Sequence, residues 1–282
     1  MNEMSAKAAT APSPRLSIAL KLGDADILLL YSAALFVISG VQKFLEGASF
    51  NVLFEFNAGE MLALCAVYIV VKSKSGAIAL TRTDLAVIAA CSLFMLPPVS
   101  QHFAFFGASL AGLYFLLRKP RDSRLFDVGL LWLALSTYET FGRLLFKLIS
   151  GPLMQLELFF IAKIGPWLGF SFVRDGIRLV SPSGWYVYMM EQCSSFHNIS
   201  LAILIWLSLL KIASAEVRRP QFVALGVAVF SIILLNAFRV MLMTLSPPAH
   251  YFWHFGAGAM LFSSATFLAV ALPTAVSLRR GA

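Results

Sequence analysis

Three side chains in this sequence have the types and surroundings for one particular chemistry. Cys193 stands outside the long apolar runs, in Glu191-Gln192-Cys193-Ser194-Ser195-Phe196, just before a helix-forming apolar stretch. Arg239 lies inside an apolar run with Asn236 one turn earlier, and His254 follows Tyr251, Phe252 and Trp253. A thiolate is the nucleophilic form of cysteine, and its pKa falls near a cation and at a helix N-terminus. Cys193 is expected to have both, from Arg239 and from the start of its own helix. A histidine can take the thiol proton and later protonate a leaving amine. Arginine cannot act as a base at ordinary pH. Its roles are to stabilise a tetrahedral oxyanion or to hold a substrate carbonyl. Together these groups suit cysteine-based acyl transfer.

Each residue also has a plainer reading. Cys65 and Cys91 sit inside apolar runs and read as packing residues. An arginine near the end of a span can simply snorkel, and an interfacial aromatic belt would account for the neighbours of His254. Charges inside a membrane usually mark function, however, which favours a working role for Arg239. Among the other histidines, His197 would lie one turn below Cys193 on the same helix face. A side chain there points back along its own helix, whereas His254, from another segment, can face Cys193 across a cleft. His250 follows Ser246-Pro247-Pro248-Ala249 and is expected to be mobile or too far out, although both it and His197 could compete for the acid–base role. Glu60 is a carboxylate within an apolar run, expected to pair with a basic residue of another helix. There is no HExxH or CxxC spacing, and neither His250 nor His254 has a nearby carboxylate. No metal or other cofactor is expected.

The elements that must position these groups are membrane helices. The chain has 282 residues, 59% hydrophobic and 13% charged, with a mean hydropathy of +0.82. A soluble domain is nearer half apolar and a quarter charged. A soluble globular enzyme, a disordered chain and a nucleic-acid binder are therefore excluded. The net charge of +8 reflects basic loops rather than an anionic partner. Residues 1–24 are polar and lack a signal-peptide core, so they are expected to form a cytoplasmic tail ahead of one membrane domain over 25–282. Apolar segments follow at about 27–45, 52–71, 85–101, 103–117, 125–138, 199–210, 222–245 and 251–278, with Pro97-Pro98 breaking the third from the fourth. A further stretch at 153–171 carries Glu157, Lys163 and Gly165-Pro166, and is expected to be interfacial or re-entrant.

Basic clusters set the orientation: Lys72, Lys74 and Arg82; Arg118, Lys119, Arg121 and Arg124; Lys211, Arg218 and Arg219; and Arg279-Arg280. All face the cytoplasm in an eight-span, N-in, C-in arrangement. Glu139, Arg143 and Lys147 form a one-sided stripe expected to be solvated or internally paired, on a helix leaving the membrane. Residues 174–188 carry β-branched and aromatic residues around Pro182-Ser183-Gly184, which predicts an extracytoplasmic hairpin. It precedes the span at 199–210, the seventh apolar stretch when 153–171 is included. At 1.5 Å per residue, Arg239 is about 27 Å beyond Gln221, close to the outer surface. The expected architecture is an all-α polytopic membrane protein whose Cys193, Arg239 and His254 converge at one outer depth.

At these residues the sequence resembles the exosortase/archaeosortase family. The resemblance comprises the hairpin with Glu191-Gln192-Cys193-Ser194, then Asn236-Ala237-Phe238-Arg239-Val240, then Phe252-Trp253-His254 with Gly258 four residues on. It covers about residues 170–262; the first four spans match in hydropathy alone. It implies a cysteine peptidase or transpeptidase in the cytoplasmic (inner) membrane, with its site on the extracytoplasmic side. Implied partners are exported proteins ending in a short motif such as Pro-Glu-Pro, a transmembrane helix and a basic cluster, in systems that accompany exopolysaccharide biosynthesis. Besides lipid, no partner such as nucleic acid is implied. Cys193, Arg239 and His254 correspond to the family's nucleophile, arginine and histidine. Ser195 stands where the family usually has glycine, which would ease close backbone approach near the oxyanion. A different class of function is a non-enzymatic component of polysaccharide or lipid export, with Arg239, Glu60 and His254 lining a polar path. Clustering at one depth favours the enzyme, with Glu60 as the exception.

Overall fold

The structure, a computed structural model, describes residues 23–45, 58–72, 78–97, 101–190 and 193–281. Most of the polar segment 1–24 therefore lies outside the described residues, as do Lys74, Glu191 and Gln192. The helices are α1 (Asp24–Leu45), α2 (Ala58–Lys72), α3 (Arg82–Ser92), α4 (Gln101–Arg118), α5 (Arg124–Ser136), α6 (Gly142–Ile164), α7 (Ser195–Ile212), α8 (Arg219–Met243), α9 (Pro247–His254) and α10 (Ala257–Gly281). Between α6 and α7 come three short strands, β1 (Val173–Asp175), β2 (Arg178–Val180) and β3 (Tyr186–Tyr188).

Four segments are long and apolar enough to cross a membrane: Asp24–Gln42, Phe146–Leu168, Arg219–Met243 and Ala257–Arg279. His102–Arg118 and Asn198–Ile212 are shorter apolar helices. The eight spans expected from hydropathy are thus not all matched by helices of spanning length among the described residues. Among the described residues α2 and α3 have 15 and 11 residues, below the ~20 that a hydrocarbon core requires. Nor is α5 a separate unit. It continues through a π-helical turn at Thr137–Phe141 directly into α6.

The course of α6 bears on the site. Phe146 stacks on Phe196 at 5.4 Å between ring centroids, yet Glu157 also reaches Ser194 and Ser195. Eleven residues of helix rise about 16 Å, so α6 passes over the start of α7 at a steep inclination. The stretch expected to be interfacial or re-entrant belongs to a segment, Phe146–Leu168, that is long and apolar enough to cross a membrane. Glu139, expected on a stripe either solvated or internally paired, is not solvated: it is buried at 1% exposure inside the π turn.

Packing between α4 and α5 shows how a membrane bundle coheres where lipid is as apolar as the core. A Cβ on Gly112 would lie 2.7 Å from the Gly129 carbonyl oxygen, and one on Gly129 would lie 2.8 Å from that of Gly112. The two glycines let the backbones touch. Beside them Trp132 is buried between Tyr31 and Phe115 and donates its indole N–H to Ser32 Oγ at 2.9 Å.

Three ion pairs lie at the opposite end from Cys193, while another, Arg178 with Asp175 at 2.9 Å, lies on the sheet beside it. Lys72 pairs with Asp26 at 3.0 Å, Lys119 with the buried Asp84 at 2.6 Å, and Lys211 with Asp127 at 2.5 Å. Lys211 sits at the end of α7 and Cys193 just before its start, about 27 Å away along the helix. The basic loops and the cysteine thus occupy opposite ends of the bundle.

The predicted hairpin is part of an antiparallel sheet in the order β1-β2-β3. Gly176 (φ 59°) turns β1 into β2, and Gly184 (φ 81°) lies in the Ser181–Trp185 turn before β3. Leu179 and Val187 face each other and are buried, while Arg178, Tyr186 and Tyr188 point outward. The inward pair joins Leu158, Met189, Cys193, Val240, Met241 and Met243 in a second apolar cluster.

Candidate active site

Cys193 occupies the turn that starts α7. Its N–H donates to the Met190 carbonyl at 2.9 Å. Ser194 is the N-cap and accepts from the Phe196 N–H through Oγ, the usual remedy for donors left unpaired at a helix start. The Cys193 carbonyl accepts from Asn236 Nδ2 of α8 at 2.7 Å. Asn236 therefore holds the backbone of the cysteine. One turn beyond it on the same helix stands Arg239.

The third group arrives on α9, whose start follows from the sequence. Ser246 caps it through the Ala249 N–H, and Pro247 and Pro248 fill positions that need no hydrogen bond from their nitrogens. His254 ends this short helix rather than beginning a span, a correction to its expected place. Its Nε2 lies 3.7 Å from Cys193 Sγ, within hydrogen-bond range for sulfur. Arg239 Nε donates to the Trp253 carbonyl at 3.0 Å, and its guanidinium lies 4.4 Å from the centre of the Phe262 ring. Among the described residues its two Nη groups make no hydrogen bond. Gly258 closes the joint between α9 and α10, since a Cβ there would meet Phe252 and Trp253 at 2.7–2.8 Å.

The electrostatics differ from expectation at the thiol. Cys193 is 2% exposed, and burial pushes its pKa up, with the negative charge of Glu157 adding to the effect. A Met190 backbone hydrogen bond and the charge of Arg239 pull the other way without reversing it. The sequence identified the favourable cation and helix start but not the loss of water around the sulfur, which dominates here. Burial likewise lowers the pKa of His254, and the charges of Arg239 and His250 lower it further. Both shifts favour a neutral thiol beside a neutral imidazole.

His250 is neither remote nor isolated. Its ring stacks on that of His254 at 5.3 Å, with Trp185 edge-on at 5.7 Å. Trp185 in turn donates to the Met243 carbonyl at 3.1 Å, fastening the sheet over the end of α8. His197 belongs to α7, but its side chain lies outside the described residues. Glu60 is buried in the first turn of α2 at 6% exposure.

Sequence reasoning missed Glu157. Its Oε1 accepts from Ser194 Oγ (2.9 Å), Ser195 N (3.1 Å) and Ser195 Oγ (2.5 Å). A carboxylate in an otherwise apolar stretch was the available signal, and it served only to argue against a span. Glu157, Ser195 and Asn236 also line a mostly apolar cavity of about 370 Å³ between α6, α7 and α8.

A family model described as transmembrane exosortase matches residues 30–271, most of the chain. No curated protein and no solved structure matches.

Proposed function

Because the chain belongs to the transmembrane exosortase family, a family with a membrane transpeptidase or protease role, we propose that it is a cysteine peptidase with Cys193 as nucleophile. The observation that carries this reading is the 3.7 Å approach of His254 Nε2 to Cys193 Sγ. His254 takes the thiol proton as sulfur attacks the scissile carbonyl carbon. The carbonyl oxygen becomes an oxyanion, and collapse breaks the C–N bond as His254 returns the proton to the leaving amine. An acyl thioester on Cys193 remains, to be resolved by an acceptor amine or by water.

Arg239 faces the oxyanion or the substrate carbonyl with its Nη groups. The amide of Cys193 is engaged by Met190 and that of Ser195 by Glu157. The Ser194 N–H makes no hydrogen bond among the described residues, so it is the backbone donor left to join Arg239. Asn236 supports the site by holding the Cys193 carbonyl. Ser195, in place of the usual glycine, engages Glu157 rather than the reacting carbonyl.

The substrates are exported proteins with a C-terminal Pro-Glu-Pro-like motif, a transmembrane helix and a basic cluster, in a cell-surface pathway linked to exopolysaccharide. The basic loops lie on the cytoplasmic side of the inner membrane and the cysteine end lies outside, as the opposite placement of the ion pairs and Cys193 supports. Co-expression with a tagged protein carrying that tripartite end tests this reading. Cleavage that disappears when the motif is scrambled is the expected result; an uncleaved substrate at full enzyme level contradicts it.

A further inference from the structure

We propose that Glu157 is a positioning residue for the nucleophile, clamping the Cys193-Ser194-Ser195 turn from a separate helix. This deepens the reading of Cys193 as nucleophile and rests on it. An ordinary helix start would be served by its own N-cap, and Ser194 already fills that role by accepting from the Phe196 N–H. Glu157 adds a second, long-range restraint, 37 and 38 residues away in sequence, through three donors on one carboxylate oxygen. Ser194 and Ser195 are 0% and 4% exposed. Their hydroxyls and the Ser195 N–H would be costly to leave unpaired in such a place.

With Glu157 counted, the cysteine turn is held from three sides. The inclined α6 grips the two serines, α8 grips the Cys193 carbonyl through Asn236, and α9 brings His254 to the sulfur. Loss of the α6 contact would leave the two serines without their long-range anchor and the turn tied to the bundle at the Cys193 carbonyl and sulfur. Small displacements of reacting groups cost large factors in rate. The clamp also has an electrical consequence. The charged or titratable groups whose fields reach Cys193 include Glu157 from α6, Arg239 from α8 and His254 from α9, with His250 stacked behind the last. Glu157 is the one that disfavours a thiolate. It thereby keeps the proton on sulfur until His254 removes it.

The test uses the full chain in membranes, with Cys65→Ala and Cys91→Ala so that only Cys193 is alkylated. Processing of the tagged substrate and the pH dependence of Cys193 alkylation by iodoacetamide are measured for Glu157→Gln and Glu157→Ala at equal membrane level. A glutamine keeps an acceptor oxygen for Ser195 but no charge. The expected results are at least a tenfold loss of processing in Glu157→Ala, a several-fold smaller loss in Glu157→Gln, and an alkylation midpoint in Glu157→Gln that moves to lower pH. Equal processing by the two variants, or an unmoved alkylation midpoint, overturns the proposal. A Cys193→Ala protein that still processes substrate would instead overturn the nucleophile assignment, leaving the alkylation result intact.

Discussion

Cys193 and His254 form a neutral pair because both are withdrawn from water in a site that already holds Arg239. That arrangement has a readable pH signature. Burial, Arg239 and His250 together hold the imidazole pKa below its ordinary 6.5. A base with a lowered pKa stays deprotonated, and competent, to lower pH than a free histidine. The acid limb of processing should therefore fall below pH 6.5, and a limb above that value would show that Arg239 and His250 do not govern the ring. Substitution should separate the histidines. His254→Ala should abolish processing, while His250→Ala and His197→Ala should keep a sizeable fraction. A dead His197→Ala with an active His254→Ala would move the base to α7. For Arg239, loss of one oxyanion donor elsewhere costs roughly 10²–10³ in rate. Arg239→Lys should lose nearly as much as Arg239→Ala, since a point charge does not replace a planar fork. Near-normal turnover of the lysine variant in a substrate-cleavage blot would reduce Arg239 to a generic positive field.

At the scale of elements, the site depends on how short segments are joined. The α9–α10 joint works because Gly258 leaves room for Phe252 and Trp253, and the Trp253 carbonyl anchors Arg239. Gly258→Ala inserts a methyl group 2.7–2.8 Å from those rings and should displace both the histidine helix and the arginine anchor. Processing should drop several-fold with the protein still in the membrane; full activity would show that the joint tolerates the shift. These joints also mark the limit of what the sequence made legible. Ser246-Pro247-Pro248 signals a helix start through local chemistry, and Pro182-Ser183-Gly184 signals a turn for the same reason. The helix of spanning length and composition over Phe146–Leu168 was not legible, because its course depends on contacts made far away. Phe146 meets Phe196 and Glu157 meets Ser195, and no local pattern encodes either pairing. Cys193, Arg239 and His254 could be singled out because reactive residues are conspicuous against an apolar background. The burial that raises the Cys193 pKa became visible only once the second apolar cluster was assembled around it.

At the scale of the whole molecule, the bundle separates an end carrying Lys72, Lys119 and Lys211 with their carboxylate partners from the end that carries Cys193. The placement of positive loops predicts that Ser183, exposed in the turn before β3, faces away from the cytoplasm. A Ser183→Cys variant in the background lacking the other cysteines should react with a membrane-impermeant maleimide on intact spheroplasts. Labelling only after the membrane is opened would invert both the topology and the location of the site. The same polarity organises the chemistry: helices charged at one end of the bundle bring α7, α8 and α9 together around one sulfur atom at the other. The most direct measurement of the central claim is processing of a tagged substrate in membranes by Cys193→Ala, with Cys65→Ala and Cys91→Ala as controls at matched levels. The nucleophile assignment predicts no cleaved product from Cys193→Ala and normal product from both controls. Product from Cys193→Ala at the level of the unaltered protein would contradict it.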